Sequence, residues 1–136
     1  MAKASATVRV PASADKVWQL IGGFDALPDW LPFVSESVAA AGGRIRQLTT
    51  QDGARISEQL QRFDEQGRTY SYSIVEGPLP LTDYLATLTV RADGAEAAFV
   101  EWSSTFTPVG ISDAEAEALI LDVYNGGLGA LKAHFG

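Results

Sequence analysis

Glu58 is flanked on its strand face by two aliphatic residues, and that setting is where the chain most readily offers chemistry. Residues 54–63 alternate, so Ile56, Glu58 and Leu60 point one way while Arg55, Ser57, Gln59 and Gln61 point the other. A carboxyl on an apolar face must be paired, hydrogen-bonded or protonated. Desolvation raises its pKa, the condition for general acid or base work near neutral pH, and a nearby arginine pulls it back down. Arg44, Arg46 and Arg62 are available for such a structural pair. A one-residue slip in register would instead place Glu58 in water.

Three phenols accompany the carboxyl. In residues 69–76 the face of Tyr70, Tyr72, Ile74 and Glu76 is the more apolar one, and in residues 81–90 it is that of Tyr84, Ala86, Leu88 and Val90. Tyr124 belongs to a long helical pattern further on. A tyrosine offers an apolar wall with one hydrogen-bonding handle. We therefore read Glu58 as the candidate acid or base, with Tyr72 and Tyr84 orienting a substrate oxygen. Glu76 is the rival carboxyl, but Gly77-Pro78 should carry that strand end to the rim. The candidate ligand-contacting residues are Trp30, Leu60, Ile74, Trp102, Phe106, Tyr124, Gly127 and Leu128.

Other chemistries lack their residues. The chain has no cysteine, which removes thiolate catalysis and disulfides. Its single histidine, His134, falls in the last turn of the helical pattern, where a cation suits the helix dipole. One His and no Cys leave zinc or iron short of ligands, so no metal and no cofactor is expected. No Ser/His/Asp triad can be assembled, and no glycine loop opens a helix as phosphate binding requires. The formal net charge of −7 argues against nucleic acid and against anionic membrane surfaces. No signal-peptide pattern and no membrane-length apolar run occurs, which points to a cytoplasmic protein. The expected partner is a hydrophobic small molecule, and a homodimer stays open.

The positioning elements follow from periodicity. Residues 4–10 alternate as a half-buried strand ended by Pro11; Ser13 caps a short helix over residues 14–21, stopped by Gly22-Gly23. Residues 24–32 allow at most a short helical turn between prolines. Strands are then expected at 33–40, 44–51, 54–63, 69–75, 81–91 and 97–107, joined by short turns and therefore forming a meander. Residues 111–135 carry an Ser112/Glu115 capping box and an apolar stripe, which predicts one long helix. Gly126, Gly127 and Gly129 interrupt it at roughly 1 kcal/mol each. Four explanations stand: a close backbone, a bend, space kept for a ligand, or a helix that ends near Asn125 and restarts. A sheet of this size must cover its apolar face, and the long helix alone is large enough. With 136 residues and no linker or repeat, one domain over 1–136 is expected.

That order resembles the START-like, or SRPBCC, superfamily with its helix-grip fold, and most closely its bacterial polyketide cyclase/dehydrase branch. The carriers are VPASADKVWQLIGGFDALPDWLP, YSYSIVEGPLPLTDY, EWSSTFTP and YNGGLGALKAHF, with GPLPLTDY the more branch-specific. The resemblance implies an α+β fold: a curved antiparallel sheet of about seven strands around a long C-terminal helix, enclosing an apolar cavity. It further implies either a cofactor-independent cyclase, dehydratase, isomerase or lyase acting on an aromatic or polyketide-like molecule, or a non-catalytic carrier or sensor. A protein-interaction module with a filled cavity is a third reading. In many relatives a histidine follows the tryptophan of the second short helix; here Leu31 follows Trp30, so no role passes to that position.

Overall fold

A computed structural model describes residues 2–136. Strand β1 (Ala2–Val10) leads into helix α1 (Ala14–Ile21), then the single turn α2 (Leu27–Trp30). Strands β2 (Val34–Ala40), β3 (Ile45–Thr50), β4 (Arg55–Asp64), β5 (Thr69–Glu76), β6 (Leu81–Ala92) and β7 (Ala98–Pro108) follow, and helix α3 (Asp113–Phe135) closes the chain. All seven strands form one antiparallel sheet in the order β1-β7-β6-β5-β4-β3-β2. The meander and the long C-terminal helix expected from the sequence are both present, and the architecture is the α+β helix grip.

The helix starts are set locally. Ser13 Oγ accepts the Lys16 backbone N–H at 3.3 Å, and Asp15 occupies the first turn of α1. At α3, Ser112 Oγ accepts the Glu115 N–H at 3.1 Å while the Glu115 carboxylate accepts the Ser112 N–H at 3.2 Å. α3 then runs unbroken through its glycines. Its buried face, Ala116, Ile120, Tyr124, Gly127, Leu128 and Leu131, lies over the sheet, chiefly against β1. Pro28 is the second residue of α2, in the first turn where a missing N–H leaves no helix hydrogen bond unmade.

Two irregularities aim the site. The β3–β4 loop has three residues, Gln51, Asp52 and Gly53, with the Thr50 N–H donating to the Ala54 carbonyl at 2.9 Å and Gly53 at a φ of 87°. That loop sets the register in which Arg46 stands opposite Glu58 and Leu48 opposite Ile56. On the other side of β4, bulges at Ser57/Glu58 and Leu60/Arg62 turn the strand.

Candidate functional site

Between the sheet and α3 lies a cavity of about 480 Å³, within the range of small-molecule sites. Its buried walls are Leu27, Leu31 and Val34 from the α2 region, Leu48, Glu58, Tyr72, Tyr84 and Trp102 from the sheet, and Ile120 and Tyr124 from α3. Half-buried Phe33, Ile56, Ile74, Leu79 and Val123 add to the lining, and exposed Gln51, Asp52 and Pro78 mark its mouth. The mouth hairpin is fastened to the α2–β2 connection: the Gln51 N–H donates to the Phe33 carbonyl at 2.9 Å and Gln51 Nε2 to the Pro32 carbonyl at 3.1 Å.

Glu58 is held by Arg46, which is itself fully buried. Arg46 Nε donates to Glu58 Oε1 at 2.7 Å, and Nη2 stands 2.7 Å from the same oxygen without the geometry of a hydrogen bond. Arg46 Nη1 donates to the Phe24 carbonyl at 2.6 Å and to the Tyr70 phenol at 3.2 Å. The guanidinium lies 4.3 Å from the Phe24 ring centroid and 4.6 Å from that of Tyr72. Arg46 is thus enclosed by its partners and does not line the cavity. Glu58 Oε2 has no hydrogen-bond partner among the described residues, and it is not sealed from solvent. One carboxylate oxygen is therefore committed to the arginine and the other borders the cavity.

Burial pushes the Glu58 carboxyl upward from its ordinary value, and the Arg46 charge pulls it only part of the way back. Burial also opposes the Arg46 charge, but attraction to Glu58 and to the neighbouring phenols Tyr70 and Tyr72 outweighs it, so the guanidinium pKa rises. Burial raises the Tyr72, Tyr84 and Tyr124 phenols. They remain neutral hydrogen-bonding groups at physiological pH.

The phenols are also tied to one another. Trp102 Nε1 donates to the Tyr72 hydroxyl at 3.0 Å, which leaves the Tyr72 O–H free to donate, with no acceptor among the described residues. The Tyr84 and Tyr124 hydroxyls hydrogen-bond to each other. Trp102 stacks on Tyr124 with ring centroids 4.3 Å apart.

Of the residues singled out from sequence, Glu58, Tyr72, Ile74, Tyr84, Trp102 and Tyr124 come together around this cavity. Trp30, Leu60, Phe106, Gly127 and Leu128 do not line it. The Trp30 ring packs on Trp102, 5.7 Å between centroids. Leu60 packs on the core beside the Leu60/Arg62 bulge. Phe106 is fully buried behind the Tyr84 ring, and Leu128 is likewise enclosed in the core. Gly127 is covered by Leu31: a side chain there would collide with Leu31 Cδ1 and come within 3.1 Å of Trp102 Cζ3. Its smallness serves close packing rather than ligand space.

Arg46 belongs to the site through its pairing with Glu58, a role beyond the candidate residues that the sequence offers. Alternation in residues 45–50 puts Arg46 and Leu48 on one face, which was the available signal. Leu27, Leu31, Phe33 and Val34 line the cavity without a sequence signal, because their segment reads as a proline-broken loop.

A family described as polyketide cyclase/dehydrase and lipid transport matches residues 1–136. The chain belongs to this family. No match was found among the curated proteins. Among solved structures, the protein XoxI from Bacillus cereus is 45% identical with a TM-score of 0.97, over 99% of this chain and 96% of its own. An uncharacterised protein from Bacillus thuringiensis is 44% identical with a TM-score of 0.97, over 98% of each chain. The Zhui aromatase/cyclase from Streptomyces sp. R1128 shares the fold at 17% identity and a TM-score of 0.81, over 97% of this chain and 92% of its own. The START-like reading of the sequence holds, and the family's description spans both catalysis and lipid transport. No helix among the described residues is long and apolar enough to cross a membrane.

Proposed function

We propose that this polyketide cyclase/dehydrase-family protein binds a hydrophobic small molecule in the cavity between its sheet and α3. The observation that carries the reading is the cavity's composition: aliphatic and aromatic walls with a few polar groups, Glu58 and the phenols, converging on them. Such a site buries an apolar body and fixes one oxygen-bearing end. The test is titration of the purified protein with neutral aromatic probes, read through tryptophan fluorescence, because Trp102 borders the cavity. One-to-one binding in the micromolar range is expected. Failure of every neutral probe to bind below about 1 mM would remove the reading.

Acid–base catalysis is the second reading, and Glu58 Oε2 favours it. That oxygen is uncommitted, borders the cavity, and belongs to a carboxyl whose pKa burial has raised. In this reading Glu58 moves a proton on the bound molecule while the Tyr72 O–H donates to its carbonyl or enolate oxygen. Cyclisation, dehydration and retro-aldol-type cleavage all use those two functions without a cofactor. Replacing Tyr72 with Phe removes the donor and keeps the ring. An enzyme would lose turnover of its substrate by about a hundredfold or more while retaining most of its binding. A carrier would show no turnover to lose.

A further inference from the structure

We infer that the cavity selects uncharged hydrophobic molecules bearing a hydroxyl group and rejects carboxylates, an inference about specificity that rests on the ligand-binding reading above. No Lys, Arg or His lines the cavity among the described residues. Arg46, the cation paired with Glu58, spends its charge on Glu58 Oε1 and is covered by the rings of Phe24 and Tyr72. A carboxylate entering the cavity would leave water without gaining a cation. It would also meet Glu58, and at the mouth it would pass Asp52, whose carboxylate the Thr50 hydroxyl and the Ala54 N–H hold below its ordinary pKa.

A hydroxyl finds what an anion does not. Glu58 Oε2 lacks a donor, and the Tyr72 O–H lacks an acceptor. A ligand alcohol or phenol supplies one of each from a single oxygen. A plain hydrocarbon supplies neither and leaves both cavity-facing groups without a partner from the ligand. The site therefore discriminates in two directions, against the charge and against the missing hydroxyl.

Three probes with one skeleton test this: biphenyl-4-ol, biphenyl and biphenyl-4-carboxylate, titrated at pH 8 and followed by tryptophan fluorescence with calorimetry. The phenol should bind the wild-type protein roughly ten- to a hundredfold more tightly than biphenyl and more tightly still than the carboxylate. Binding of the carboxylate within about threefold of the phenol would overturn the inference while leaving the cavity reading intact. Failure of all three would overturn both. Glu58→Gln adds a second arm, because it leaves the Arg46 charge without its counter-ion. That variant should gain affinity for biphenyl-4-carboxylate at least about tenfold relative to wild type. A folded variant with no such gain would show that pairing with Glu58 is not what withholds the Arg46 charge from an anion, and would overturn that part of the inference; if the variant does not fold, the wild-type series still decides.

Discussion

Arg46 and Glu58 show what a single residue can decide. The sequence made Glu58 visible, because a carboxyl between Ile56 and Leu60 breaks an apolar pattern. It offered Arg44, Arg46 and Arg62 as partners without choosing among them. A two-residue Asp-Gly turn would set Arg46 opposite Gln59, whereas the three-residue loop sets it opposite Glu58. The two partners now depend on each other. Arg46→Met keeps much of the volume and leaves Glu58 buried without its cation, which should cost about 3–5 kcal/mol near pH 7.5 in urea unfolding. The pH dependence has a definite sign. The folded-state pKa of Glu58 already lies above its unfolded value and should rise further without Arg46. Stability from that group is fully present below about pH 4.3 and is lost as pH rises through the folded value. Arg46→Met should therefore lose less stability at pH 5 than at pH 7.5, and adding Glu58→Leu should restore most of the loss at both. A loss that is the same at both pH values would mean that packing against Phe24 and Tyr72, not charge, was what Arg46 supplied.

At the scale of the element, α3 shows which parts of a helix are legible in advance. Its capping box and apolar stripe fixed its start and its buried face, since both depend on neighbours three and four residues away. The purpose of its glycines depends on what lies across from them, and sequence spacing carries no record of that. Gly127 faces Leu31 and Trp102, while nothing stands within 4 Å of a side chain added at Gly126 or Gly129. Opposite outcomes follow from substitutions of the same kind. Gly126→Ala and Gly129→Ala should each raise stability by about 0.5–1 kcal/mol, by lowering the freedom of the unfolded chain. Gly127→Ala should lower it, because Leu31 and the Trp102 ring must move away. Thermal unfolding of the three variants measures this directly. Stabilisation by Gly127→Ala would show that Leu31 yields without cost. The same collision makes Gly127→Leu a packing lesion, so lost ligand binding in that variant would not place the glycine in the cavity.

The whole molecule is a curved sheet closed by one helix, and its overall order could be read because each strand announces itself by alternation and each turn by Gly, Asp or Pro. The cavity was legible only as half a boundary. Ile74, Tyr84 and Trp102 come from faces that alternation assigns, but Leu31 and Phe33 come from a connection with no period to read. A space of about 480 Å³ inside so small a domain is a standing cost, because its apolar lining forgoes the contacts that a filled core would make. Filling it from α3 should recover part of that cost. Val123 lines the cavity and is half-buried, and Phe is tolerated about as well as Val in a helix. Val123→Phe should leave the free protein as stable as wild type or more so, while weakening biphenyl-4-ol binding at least about tenfold, a trade of function for stability. Ligand should reverse the ranking. At a hundred times the wild-type dissociation constant, a ligand stabilises the wild-type protein by about 2.7 kcal/mol and a variant that binds tenfold more weakly by only about 1.4 kcal/mol. Paired melting curves with and without biphenyl-4-ol make the comparison. A filled variant that still melts higher with ligand, by the same margin as wild type, would put the binding site elsewhere on the molecule.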